Sequence, residues 1–120
     1  MGTLSSGNRG EDRAQEYLFA RGYEILHRNW RNGRYELDLV AVRDGVLHII
    51  EVKTRRKDSL TSPEEALTRK KFKALCRAAE YYIALYHIDL EVQFDLLAIE
   101  YDESGACEIR HIPDAMSPVW

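Results

Sequence analysis

Two apolar runs, 37–42 and 46–52, flank Asp44-Gly45 and predict a β-hairpin. An Asp-Gly pair tolerates the left-handed dihedrals that a two-residue loop demands. With those two residues as the loop, Arg43 faces Val46. Carried outward, this register sets Asp38 opposite Glu51 and Glu36 opposite Lys53. Side chains alternate faces with period two, so these four charged residues share a face with Val40, Val42, Leu47 and Ile49. Leu37, Leu39, Ala41, Ile50 and Val52 line the other. Both faces are largely apolar, which predicts a sheet covered on both sides. In "GEDRAQEYLFARG" (10–22), Ala14, Tyr17 and Leu18 form the stripe of a helix that stops at Gly22. Glu11 and Asp12 fall in its first turn, where acids favour the helix dipole. "TSPEEALTRKKFKALCRAAEYYIAL" (61–85) predicts a second helix. Its N-cap is Ser62, with Pro63 at N1 and Glu65 at N3 completing a capping box. Tyr81, Tyr82 and Tyr86 at its end read as packing residues rather than a contact face. "YEILHRNW" (23–30) and "LEVQFDLLAIEY" (90–101) read as strands, "RNGR" (31–34) as a turn and "ACEIRHI" (106–112) as a candidate edge strand. A strand, a helix and a strand in that order imply a parallel crossover. The pattern predicts an α/β fold: a mixed central sheet in αβββαβ order with helices on both faces. Residues 1–120 read as one domain, with loose termini at 1–8 and 114–120.

Composition changes this picture little. Hydrophobic residues make up 45% of the 120 residues and charged residues 31%, as in ordinary soluble domains. No apolar stretch reaches membrane-spanning length, and the first residues lack the apolar core of a signal peptide. Cys76 and Cys107 lack metal-ligand spacing and read as reduced thiols of a cytoplasmic protein. His27, His48, His87 and His111 are scattered singly and read as ordinary surface or half-buried histidines. Charge is less even than the net −3 suggests. Up to Arg77 there are 16 Lys and Arg against 11 Asp and Glu, and from Ala78 onward 1 against 9. The clusters "KTRRK" (53–57) and "RKKFK" (69–73) can attract phosphates despite the acidic total.

The charges at the open end of the hairpin call for an explanation. Carboxylates opposite each other on neighbouring strands have Cβ atoms about 4.5–5.5 Å apart, and like charges there are destabilising. A shared proton, neutralisation by Lys53 or a bridging divalent cation would each relieve the strain. Lys53 balances only one of three acids. All-oxygen ligands suit Mg²⁺ or Mn²⁺. A local folding rule broken in this way points to function.

An Asp on one strand followed by Glu-x-Lys on the next (Asp38, then Glu51-Val52-Lys53) resembles the PD-(D/E)xK nuclease superfamily. The wider set "GNRGEDRAQEYLFARGYEILHRNWR", "ELDLVAV", "IIEVKTR", "ALTRKKFKAL" and "QFDLLAI" resembles the YraN-like family of bacterial proteins, from about Gly7 to Ala115. That resemblance implies a restriction-endonuclease-like fold, similar to archaeal Holliday-junction resolvases, and a metal-dependent nuclease acting on DNA. It implies catalytic roles for Glu11, Glu36, Asp38, Glu51 and Lys53, with Mg²⁺ or Mn²⁺ held by Asp38, Glu51 and the backbone carbonyl of Val52. Arg55, Arg56, Lys57, Arg69, Lys70 and Lys71 would then contact nucleic-acid phosphates. Many nucleases of this fold work as homodimers, but the sequence carries no decisive interface signal. The chain departs from the family pattern at Tyr35, where Gly is usual, at Phe72 for Gln and at Gln93 for Arg. Tyr35 falls on the face opposite the acids in the register above. The substitutions at Phe72 and Gln93 favour a competing expectation, a non-catalytic nucleic-acid-binding module that keeps the nuclease fold.

Overall fold

The computed structural model describes residues 6–116, with side chains from residue 10 onward. Its elements are α1 (Ser6–Ala20), β1 (Glu24–Asn32), β2 (Tyr35–Arg43), β3 (Val46–Arg56), a 3-10 turn (Glu64–Ala66), α2 (Arg69–Leu85), β4 (Glu91–Tyr101) and β5 (Cys107–Ile112). The five strands form one sheet in the order β1-β2-β3-β4-β5. Only β3 and β4 run parallel, joined by the crossover through α2. The protein is therefore a mixed α/β fold, and the candidate edge strand is present as β5.

The hairpin forms in the register its turn dictates. Arg43 pairs with Val46, and the ladder continues to Leu39 opposite Ile50. Asp44 and Gly45 both take positive φ, at 51° and 75°, which lets the loop follow the strand twist. Each face then collects its own core. Ala14 and Leu18 of α1 pack on Leu39, Ala41, Ile50 and Leu97. On the opposite face, Phe72, Leu75, Ala79 and Tyr82 of α2 pack on Val40, Leu47, Ile49 and Phe94. Tyr82 also binds His27 Nδ1 through its hydroxyl at 2.7 Å, tying α2 to β1.

Several boundaries differ from those the sequence predicts. α1 starts at Ser6, so residues 6–8 are helical, and residues 1–5 of the expected loose terminus lie outside the described part. Glu11 and Asp12 therefore sit beyond the first turn, and the dipole account of them fails. The far end of α1 is as expected. Gly22, at φ 85°, donates to the Phe19 carbonyl, and Tyr23 donates to that of Leu18, as a Schellman stop requires.

The region 61–85 is two elements rather than one helix. Ser62 Oγ accepts the Glu65 N–H at 3.3 Å but caps only the 3-10 turn. Leu67 then leaves helical geometry (φ −88°, ψ 85°), and Thr68 caps α2 by accepting the Lys71 N–H at 3.2 Å. The turn is tied to β5 by Arg110, which donates to Glu64 at 2.6 and 3.0 Å.

Alternation also fails in β1, at a register shift between Ile25 and His27 and again further along the strand. Asn29 of β1 has φ 52°, and beyond it Trp30 and its cross-strand partner Leu37 join the core under α2. Tyr35 follows, stacking on Tyr81 with ring centroids 5.1 Å apart. Leu37 and Tyr35 are thus on the side of Val40, Leu47 and Ile49, the face opposite to the one the register predicts for them. The C-terminal stretch is irregular but not loose as far as Met116. Ala115 donates to the Phe94 carbonyl at 2.8 Å, and Met116 packs on the core under α2. Residues 117–120 lie outside the described part.

Candidate active site

One step past the last rung of the β2–β3 ladder, the side chains of Asp38 and Glu51 meet. Asp38 Oδ2 accepts the backbone N–H of Val52 at 2.9 Å. Glu51 is almost wholly buried, and two ammonium groups converge on its Oε2: Lys71 at 3.1 Å and Lys53 at 3.5 Å. β2 supplies the aspartate, β3 the glutamate and one lysine, and the first turn of α2 the second lysine. The Thr68 cap places Lys71 there, at the third residue of α2.

The two carboxyls share one proton, and it rests on Asp38. Burial, the hydrogen bond to Glu51 and the charge of Glu51 push Asp38 up from 3.8 to about 8, against the opposing pull of the Val52 N–H. Burial also works against a charge on Glu51. The hydrogen bond from Asp38 and the charges of Lys71 and Lys53 outweigh it and hold Glu51 below its ordinary value. Burial and the neighbouring Lys71 lower Lys53, whereas its contact with Lys53 and the charge of Glu51 raise Lys71. Repulsion between the acids is thus relieved by a shared proton together with two lysines, one more lysine than the hairpin alone supplies.

Glu11 reaches the same neighbourhood from α1, and its charge adds to the upward push on Asp38. Gly10 makes the approach possible, since a Cβ there would stand 2.6 Å from Thr54 Cγ2. The Oε2 atom of Glu11 is buried without a hydrogen bond, with Arg28 Nε 3.8 Å away. Arg28 is instead closely paired with Asp12. Glu36 behaves differently. Two-thirds exposed, it pairs with Arg31 at 3.4 Å and reaches only the rim of the adjoining cavity.

The donor set bears on whether a divalent ion fits. Among the described residues, no three His, Cys, Asp or Glu side chains are gathered closely enough to hold an ion. Asp38 and Glu51 form a two-carboxylate site, and two ligands suffice for Mg²⁺, which keeps several of its waters. Glu11 Oε2, which makes no hydrogen bond, is a further acceptor nearby. A hard divalent cation at this acid pair would depend on water for most of its shell. Val52 takes part through its N–H on Asp38.

A cavity of about 340 Å³ opens directly on the acid pair. Its lining combines the charged Asp38, Glu51 and Lys71 with Tyr35, Ala74 and Leu75, and with Arg34, Glu36 and Arg77. The basic residues of 55–57 are elsewhere and already engaged. Arg56 pairs with Asp58 at 3.2 Å, Lys57 pairs with Glu108 at 3.3 Å, and Arg55 donates to the Thr54 carbonyl. Arg55 and Arg56 line a separate hollow that also includes Asp102 and Glu103. Arg69 and Lys70 are exposed at the start of α2. Of the six basic residues expected to meet phosphate, only Lys71 lines the cavity beside the acid pair. Phe72, expected to weaken a polar site contact, points into the core, where its ring meets Phe94 at 5.0 Å.

A second buried acid was not singled out by the sequence. Asp95 Oδ2 accepts from His48 Nδ1 at 2.8 Å and His111 Nε2 at 2.9 Å. Its Oδ1 accepts from Gln93 at 2.9 Å and from the backbone of Asp114 at 3.0 Å. Burial opposes the charge, but these four donors outweigh it and hold Asp95 well below the carboxylate range. The signal in the sequence was the one that exposed Asp38, an acid inside an apolar strand run.

Fold and site together define a mixed α/β protein with an acid pair and two lysines at the open end of its central hairpin. The chain belongs to the family described as "Uncharacterised protein family UPF0102", whose model matches residues 10–99. It is 44% identical over 109 residues to a UPF0102 protein of Parabacteroides distasonis, covering 91% of this chain and 89% of the relative. A UPF0102 protein of Bacteroides thetaiotaomicron is 45% identical over 112 residues, covering 93% and 92%. One of Flavobacterium psychrophilum is 37% identical over 109 residues, covering 91% of each. These matches agree with the YraN-like resemblance read from the motifs. Among the described residues, no helix is long and apolar enough to cross a membrane.

Proposed function

We propose that this protein is a divalent-metal-dependent nuclease of restriction-endonuclease-like fold that hydrolyses phosphodiester bonds in DNA. The observation that carries the reading is the meeting of Asp38 and Glu51 with Lys53 and Lys71, in a group of which Asp38, Glu51 and Lys71 line one cavity. Asp38 and Glu51 would hold Mg²⁺ or Mn²⁺. Such an ion, when bound, supplies charge to the phosphoryl oxygen and acidifies a water. Glu51, once its lysines turn to the substrate, keeps a full negative charge for the ligand role. Lys53 orients the attacking water or stabilises charge that develops on the phosphate. Lys71 would meet the same phosphate, and Glu11 would orient water through the oxygen that makes no hydrogen bond.

The test is cleavage of labelled single-stranded, duplex, flap and four-way-junction DNA with Mg²⁺ or Mn²⁺. Lys53→Ala is expected to lose about 10²–10³-fold in rate while still binding metal. Glu51→Ala should lose both, and Glu11→Ala should lose less. Activity that persists in Asp38→Ala would overturn the assignment.

One observation favours a second reading. Glu51 is already neutralised by two lysines, and such a balanced site needs no metal to be stable. A non-catalytic nucleic-acid-binding module would keep this arrangement. Binding without cleavage of every DNA in the panel would make it the better account.

A further inference from the structure

We propose that the cavity beside the acid pair receives the base of an unpaired nucleotide, so that the preferred substrate is single-stranded or locally unpaired nucleic acid. The inference rests on the nuclease reading of the site and specifies its substrate class. The cavity of about 340 Å³ lies in the size range of small-molecule pockets and shares Asp38 and Glu51 with the site itself. A nucleotide whose phosphate lies at the acid pair has its base within reach of the walls.

Those walls have the chemistry that binds bases. Tyr35 presents an aromatic ring braced from behind by Tyr81, with ring planes 23° apart. The guanidinium of Arg34 lies over the Tyr35 ring, 5.5 Å from its centroid, and would swing aside to stack on the other face of an entering base. Ala74 and Leu75 make an aliphatic floor on α2. Cations at Arg34, Lys71 and Arg77 complement the phosphates on either side of the base, although Arg77 also pairs with Glu80 at 3.5 Å. Aromatic and guanidinium planes with cationic edges recognise splayed bases without reading their sequence. A base in a duplex is already stacked on both faces, and entering the cavity would require it to unpair and flip. An unpaired base avoids that cost.

The experiment measures binding of one oligonucleotide carrying 2-aminopurine, single-stranded and as a blunt duplex, with Ca²⁺ replacing the catalytic metal. Two variants alter the cavity. Ala74→Trp fills it, and Tyr35→Leu keeps apolar bulk while removing the ring. Mn²⁺ binding by calorimetry is read in parallel. The wild type is expected to bind the single strand about tenfold or more tighter than the duplex, with quenching of the probe by stacking. Each variant should lose that preference and the quenching while duplex and Mn²⁺ affinities hold. Equal binding of both DNAs by the wild type, or quenching that survives in both variants, would overturn the inference. Metal binding and cleavage without base preference would remove the inference and leave the nuclease reading standing. Base preference without metal binding would support the cavity's role and remove the nuclease reading.

Discussion

Asp95 and Asp38 are both carboxyls set into the same sheet, and they have opposite fates. Asp95 is met by four donors from β3, β4, β5 and the chain beyond β5, and it keeps its charge at any ordinary pH. Asp38 has a single backbone donor and another carboxylate for a neighbour, and it keeps a proton instead. A buried acid with all its partners is architecture. One placed against a like charge is held in a state that a cation or a substrate can change. Burial alone does not separate the two cases, whereas the identity of the neighbours does.

The contrast is broken most severely at Asp95. Asp95→Ala strands two imidazoles, an amide and a backbone N–H in the interior and should cost about 3–5 kcal/mol, measured by urea unfolding. A loss below about 1 kcal/mol would mean that the network is not structural.

Asp38→Asn should act in the opposite sense. A carboxyl raised from 3.8 to about 8 binds its proton more tightly folded than unfolded. Its contribution is fully present below about pH 4 and lost as pH rises through about 8. Glu51 and Asp95, both held low, lose theirs only as pH falls through the acid range. In metal-free buffer the wild type should therefore weaken between pH 4 and 8 while Asp38→Asn does not. The variant should be the more stable by roughly 1–2 kcal/mol at pH 8, since the cavity side of Asp38 remains wetted. Parallel pH profiles in thermal melts would contradict the shared proton.

Lys71→Met sharpens the comparison from the other partner. It removes one of the two cations on Glu51 and keeps the stem that covers the cavity wall. Stability at neutral pH should fall by about 1 kcal/mol and be regained in part at lower pH, where Glu51 takes up a proton. The smallest effect is expected at the caps. Thr68→Ala should cost about 1 kcal/mol because it frays the turn that carries Lys71, and Ser62→Ala distinctly less because it serves only the 3-10 turn. Equal losses would place both caps on one helix after all.

The central hairpin was legible because its register depends on two adjacent residues with unusual dihedral freedom, and the pairing of Asp38 with Glu51 followed from it. Lys71 was read only as a phosphate contact because Ser62 and Thr68 both satisfy the rules for an N-cap. The break between them falls at Leu67, whose backbone leaves helical geometry. Tyr35 was placed on the wrong face because alternation assumes regular strands, and Asn29 on the neighbouring strand breaks the pattern. The Asp95 network joins residues from three strands and the chain beyond them. No local pattern announces such a meeting, and its two histidines looked ordinary one at a time.

Gly10 gives the molecule something like a shim of zero thickness. Thr54 is branched at Cβ and cannot swing its methyl aside freely, so one added methyl at position 10 would press α1 and β3 apart. That separation would carry Glu11 away from Asp38 without altering a single charge. Gly10 thereby works as a mechanical adjustment for an electrical property, in which helix spacing trims the smallest of the pushes that keep a proton on Asp38.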